Sequence, residues 1–189
     1  MNKIIECWKN NGDKGDKSDL FDCDYVQLEL LGPHAKESNA HTLISKSSLE
    51  VVLNFSWYLS KDNYPTAYQS SDGKIKLGRG LKLHKLLNPN VQKGYVVDHI
   101  NRNRLDNRME NFRICTQKQN SFNTTKSKNS KQNYKGVKKA NKAEWSAVIQ
   151  KDNQKFEING IEDEKDAAVI YDLMAEELFG EYAGKNFGG

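Results

Sequence analysis

The sequence predicts an α+β chain made of two small units. Three observations carry that expectation. Residues 95–123 read as a strand, an irregular loop and a short helix. Residues 133–187 read as three strands followed by one helix with an apolar stripe. The run FNTTKSKNSKQ at 122–132 lies between them and holds almost nothing that could be buried. The expected division is therefore 1–123, a basic linker at 124–132, and 133–189. With 37% apolar residues and a mean hydropathy of −0.83, each core must be modest.

In chain order, Ile4-Ile5 and Tyr25 to Leu30 read as short strands around a turn at Asn10–Asp16. No chemistry is assigned to residues 1–40. Leu43-Ile44, Leu49 to Leu53, Trp57 to Leu59 and Tyr64 to Tyr68 continue a β-rich leader, with Trp57 expected in the core. Asp72-Gly73 and Gly78-Arg79-Gly80 punctuate strands around Lys74 to Leu77. Leu83, Leu86 and Leu87 share one helical face within 81–87, and Asn88-Pro89 ends that helix. Arg79 and Lys85 are candidate phosphate contacts.

Tyr95-Val96-Val97 then runs as a strand into Asp98-His99, and an Asn- and Arg-rich loop follows. Thr116 can cap a short helix that carries Asn120. Such a strand–loop–helix can bring Asn120 back beside Asp98. An aspartate and an asparagine offer two hard oxygens, which suit Mg²⁺ or Mn²⁺. His99 points away from Asp98 because side chains alternate along a strand. It can then sit beside a metal instead of binding it, where a general base takes a proton from attacking water. The plain alternative is that Asn101, Asn103, Asp106 and Asn107 only shape a turn.

Charge supports a polyanionic partner. Residues 74–155 hold 20 basic and 5 acidic side chains, although the net charge of the whole chain is only +4. Arg102, Arg104, Arg108 and Arg113 interleave the loop. Their planar forks suit phosphate, while Arg108 or Arg113 can instead buttress the fold. Cys7, Cys23 and Cys115 are odd in number and form no CxxC pair, so three reduced thiols in a cytoplasm are expected and a zinc site is not. No apolar run approaches a membrane span, and the N-terminal apolar stretch is too short for a signal peptide.

Leu81 to Asn123 resembles the ββα-metal motif of HNH endonucleases, in the form found in phage and intron homing enzymes. The match rests on Asp98-His99, Asn107, Asn111 and Asn120 in order and spacing. The resemblance implies that Asp98 and Asn120 hold one divalent cation, Mg²⁺ or Mn²⁺, and that His99 is the general base. It implies that Asn111 pins the loop and orients His99. Asn120 stands where the family often has His. His84 belongs to a His-Arg/Lys-Leu element that the family commonly shows. It would approach the phosphate or pack the helix, and a supporting role is expected; Asn107 would fix the loop or do nothing in particular.

Residues 133–187 are similar to the plant ethylene-response-factor (APETALA-type) DNA-binding domain, which also ends phage HNH endonucleases. The matching pieces are Tyr134-Lys135-Gly136-Val137, Trp145 to Ile149, Asp166-Ala167-Ala168 with Tyr171-Asp172, and Asn186-Phe187. The resemblance implies that Lys135, Lys138, Trp145 and Gln150 face DNA; a packed strand residue is the equal alternative for Trp145. Gln150 stands where a base-reading Arg is common, and Gly160-Ile161-Glu162 is a residue short of the usual turn.

These readings converge on a metal-dependent DNA endonuclease of the homing type, with Arg102 and Arg104 contacting DNA from the catalytic loop. The partner is double-stranded DNA, with no membrane and no small-molecule cofactor. One active site per chain nicks one strand, so a double-strand break needs a homodimer on DNA or two successive events. The rival readings are a DNA-binding regulator with an inactive fold and a restriction or defence nuclease of the same chemistry.

Overall fold

A computed structural model describes residues 2–16, 23–126 and 131–188. The chain divides into two compact units, Met1–Ile114 and Cys115–Gly189.

In the first unit, strands β1 (Ile4–Trp8), β2 (Tyr25–Glu29) and β3 (His41–Ser45) form an antiparallel sheet. Val26, Leu28, Thr42 and Ile44 alternate inward and are fully buried, as period-two patterning requires. A second sheet joins β4 (Phe55–Leu59), β5 (Pro65–Ser70) and β6 (Lys76–Lys82). Short helices α1 (Pro33–Ser38), α2 (Leu49–Leu53) and α3 (Leu83–Leu87) fill the connections. The β-branched run within 49–53 is helical despite its strand-like composition. Burial of Leu49 and Val52 overrides propensity there, and the Val52 carbonyl accepts the Trp57 indole N–H at 2.8 Å. Trp57 is fully buried, as expected. Asn2 reaches the same point, donating to Trp57 O at 2.8 Å and accepting from Trp57 N at 2.8 Å.

The cysteine expectation is corrected. Cys7 and Cys23 form a disulfide, with Cα atoms 5.6 Å apart, while Cys115 is buried and takes no part in it. The antiparallel pairing of β1 with β2 sets Cys7 opposite Val26, three residues from Cys23. Linear spacing hides that proximity. No helix among the described residues is long and apolar enough to cross a membrane.

Strands β7 (Tyr95–His99) and β9 (Phe112–Thr116) pair with each other. Between them a two-residue strand β8 (Asp106–Asn107) adds in parallel to β3, with Leu43 opposite Asp106 and Ile44 opposite Asn107. The loop after His99 is thereby joined to the leader sheet.

The second unit opens with α4 (Gln117–Phe122). Thr116 caps it with a full capping box: Thr116 Oγ1 accepts from Gln119 N, and Gln119 Oε1 accepts from Thr116 N at 2.9 Å. Strands β10 (Val137–Lys139), β11 (Trp145–Lys151) and β12 (Gln154–Ile161) form an antiparallel sheet, backed by α5 (Glu164–Phe179). Asp152 and Asn153 take positive φ in the two-residue β11–β12 hairpin, as that tight turn demands. Asp163 caps α5 through Lys165 N and Asp166 N. Val137, Ala147, Ile149 and Ile161 pack on Ala167, Ala168, Tyr171 and Ala175. Gly136 has φ +69°, and a Cβ there would lie 1.9 Å from Tyr171 Cδ2, so only glycine fits. Buried Asp172 closes the unit, accepting from Asn186 N at 2.7 Å and Phe187 N at 2.9 Å.

The unit boundary falls earlier than the polar run suggested. Phe122 stacks on Phe179 with centroids 4.0 Å apart, and its carbonyl accepts from Gly184 N at 3.1 Å. These contacts assign α4 to the second unit. Linker residues 127–130 lie outside the described residues.

Candidate active site

Asp98 and His99 end β7, and Phe112 and Arg113 begin β9. Alternation sends one pair to each side of this two-stranded ribbon. On one side, Arg113 Nε and Nη2 both donate to Asp98 Oδ2, at 2.9 and 2.6 Å. On the other, the His99 ring meets Phe112 edge-on at 5.1 Å. Asp98 is 7% exposed and His99 5%.

The loop between these strands is held by its own amides. Arg102 N donates to His99 O at 2.8 Å, and Arg102 sits at φ 64°. Asn101 Oδ1 accepts from Asn103 N, and Asn103 Oδ1 accepts from Leu105 N. Asn111 spends both amide hydrogens here, on Asn101 Oδ1 at 2.9 Å and Asp106 O at 2.7 Å, while its Oδ1 accepts from Asn101 N. Asn111 therefore pins the loop. The amide that meets the His99 imidazole is instead Asn107, whose Oδ1 lies 3.3 Å from His99 Nε2.

The orientation of Asn107 fixes the His99 tautomer. Asn107 Nδ2 donates to Thr42 Oγ1 and to Arg104 O, each at 3.0 Å. A carbonyl oxygen can only accept, so the amide nitrogen must face Arg104 O and the amide oxygen must face His99. His99 Nε2 then carries the proton, and Nδ1 keeps the ring's lone pair. Burial is the main cause that holds the His99 pKa below its ordinary value, against the Asn107 bond and the Asp98 charge, which raise it.

His84 lies against this centre. Its ring is 5.5 Å from His99 and 5.0 Å from Tyr64. Burial first, then the neighbouring His99, Lys82 and Lys85, push its pKa down to about 4. Its Nδ1 is enclosed and has no hydrogen-bond partner among the described residues.

The interleaved cations divide by what they touch. Arg108 forks onto Asp106 at 2.8 and 2.7 Å and lies over the Tyr25 ring, so it buttresses the loop. Burial pushes the Asp106 carboxyl up, but the Arg108 bonds outweigh it and hold the group below its usual range. Arg104 is exposed, lies 4.6 Å from the Tyr64 ring centre and donates to Asp62 O at 2.8 Å. Lys82 Nζ lies 4.0 Å over the same ring and 2.5 Å from Asp62 Oδ2. Tyr64 itself is 6.1 Å from His99, so two cations flank the histidine pair. Residue types alone gave no sign of this Tyr64 cluster.

In the second unit, Asn120 is the half-buried fourth residue of α4. Lys138 and Gln150 are exposed, and their register places them on the sheet face away from α5. Trp145 packs against the core cluster, so the packed alternative describes it. Lys135 also departs from the expectation of facing DNA. Its Nζ donates to Phe122 O at 2.9 Å and Gly184 O at 3.3 Å, because the turn at Gly136 directs it inward.

Asp98 offers a buried carboxylate oxygen of the kind that a divalent cation takes, and Arg113 already pairs with it. Among the described residues there is no cluster of three or more His, Cys, Asp and Glu side chains that could hold one.

A family model described as HNH endonuclease matches residues 85–122. Over 161 residues the chain is 37% identical to an uncharacterised HNH endonuclease of Acanthamoeba polyphaga mimivirus, covering 85% of this chain and 81% of that protein. No solved structure matches.

Proposed function

The chain belongs to the HNH endonuclease family, and from that premise we propose that it is a metal-dependent DNA endonuclease of the homing type, hydrolysing phosphodiester bonds at a target site. The observation that carries the reading is the buried His99, oriented through Nε2 by Asn107, at the end of the strand that bears Asp98.

His99 Nδ1 takes the proton of the attacking water, because Nε2 is committed to Asn107. Asn111 keeps the loop in register, and His84 walls the imidazole from the side of Tyr64. A divalent cation, Mg²⁺ or Mn²⁺, bound through Asp98 with Asn120 as second oxygen ligand would stabilise charge on the phosphate and the leaving oxygen. Arg102 and Arg104 contact the DNA backbone from the loop.

The second unit anchors the duplex in the manner of APETALA-type domains, laying the outer face of the sheet in the major groove. The exposed positions of Lys138 and Gln150 support that reading. The substrate is double-stranded DNA.

The test is nicking of supercoiled plasmid in Mg²⁺ or Mn²⁺. Wild type should nick, whereas Asp98→Ala, His99→Ala and Asn120→Ala should each nearly abolish nicking and keep DNA binding within a few fold, since none supplies much phosphate contact energy. An Asn120→Ala variant cutting at the wild-type rate removes Asn120 from the ligand set. A wild type that binds DNA and never cuts makes the chain a binding protein.

A further inference from the structure

Arg113 is the residue that the catalytic reading leaves unexplained. Its side chain is 11% exposed, and it sends two N–H donors to one oxygen of Asp98, itself 7% exposed. A carboxylate this buried needs a counter-charge, and a lone one would be strongly disfavoured. Arg113 supplies that charge. A divalent ion on Asp98 then faces a fixed positive guanidinium across the same carboxylate, in a site where burial weakens screening. One carboxylate cannot balance both. A phosphate can, because it adds negative charge and offers an oxygen pair that suits the guanidinium fork.

Arg113 follows Phe112, whose ring touches His99, so the guanidinium and the imidazole come from the same end of the β7–β9 ribbon, on its two faces. We propose that Arg113 is a resident counter-ion of Asp98 that gates the metal site: it holds the carboxylate until a DNA phosphate draws the guanidinium away, so that the cation binds tightly only on DNA. Arg113 is thus a positioning residue acting through Asp98, and the inference rests on the reading of Asp98 as a metal ligand.

The experiment is Mn²⁺ titration of the full chain, read by the electron paramagnetic resonance signal of free Mn²⁺, with and without a duplex oligonucleotide at low salt. Wild type should bind Mn²⁺ more tightly with DNA, by at least roughly fivefold, the lower end of ordinary coupling between sites. Arg113→Gln should bind Mn²⁺ more tightly than wild type without DNA by a similar factor, and gain little from DNA. Arg113→Lys should behave as wild type. A gain of affinity is a readout that structural damage does not produce. Equal wild-type affinity with and without DNA overturns the gate, whether or not the glutamine variant folds. So does an Arg113→Gln variant no tighter than wild type. The parent reading fails separately: if Asp98→Asn leaves Mn²⁺ binding on DNA unchanged, Asp98 is not a ligand and both ideas fall.

Discussion

Asn107 Oδ1 lies 3.3 Å from His99 Nε2, and the Asn107 amide nitrogen is held from behind by Thr42 Oγ1 and Arg104 O. Thr42 belongs to the leader sheet, so strand β3 sets the tautomer of a histidine 57 residues later in the chain. Asn107→Ala should therefore slow nicking by roughly 10- to 100-fold, the usual cost of removing an orienting partner. It should also move the acidic limb of the pH–rate profile. The Asn107 bond raises the His99 pKa, so its loss lowers that pKa and shifts the limb to lower pH. A pH–rate profile of the variant checks the direction. A shift upward removes Asn107 from its role.

His84 makes stability depend on acidity. Its folded pKa is about 4, while an unfolded histidine titrates near 6.5. Between those values only the unfolded chain takes the proton. Stability is thus full above about pH 6.5 and falls as the pH drops toward 4, by up to roughly 3 kcal/mol from this group. His84→Gln should flatten most of that fall in urea titrations at pH 7 and pH 4.5. The depressed pKa of His99 leaves a smaller slope of the same sign. An unchanged pH dependence in His84→Gln assigns the slope elsewhere.

Arg102 occupies left-handed backbone at φ 64°, which costs a side-chain-bearing residue roughly 1–2 kcal/mol over glycine. Arg102→Gly should raise the stability of the first unit by up to about 1 kcal/mol. If the side chain contacts a phosphate, the same variant weakens DNA binding and makes the log–log salt slope shallower by about 0.9. Thermal melts and salt-dependent binding read the two effects separately. Stabilisation with an unchanged slope means that Arg102 does not touch DNA.

Helix α4 has six residues and no fully buried side chain. Helices that short do not persist alone in water. Its anchors are Phe179 against Phe122, and Gly184 N and Lys135 Nζ on the Phe122 carbonyl. A chain stopped at Lys126 keeps Asp98, His99, Asn111 and Asn120 but loses every one of those anchors. It should fold in its leader and fail to cut, and Phe179→Ala in the full chain should cut more slowly at unchanged DNA affinity. From the positions of the proposed catalytic residues alone, such a fragment would still nick DNA at high protein concentration and low salt. If it does so at the full-chain rate, α4 needs no support from the second unit.

The residues themselves determined a great deal here. Asp98-His99, the loop asparagines, the Thr116 cap and the Asp163–Gly180 limits of the last helix are local signals, written in side chains that act on backbone within a few positions. Alternation along one strand was enough to separate Asp98 from His99. Tertiary structure alone decided which partner each site residue takes. Asn107 meets His99 because β8 joins β3 across more than sixty residues, and the Cys7–Cys23 disulfide forms because β1 folds back on β2. Arg113 reaches Asp98, and Lys135 turns inward on Phe122, through strand pairing and a glycine turn that fix direction as well as distance. Residue type limits what a side chain can bond to, whereas long-range pairing chooses among the candidates. In this chain the choice set Asn107 on the imidazole and Arg113 on the buried Asp98 carboxylate.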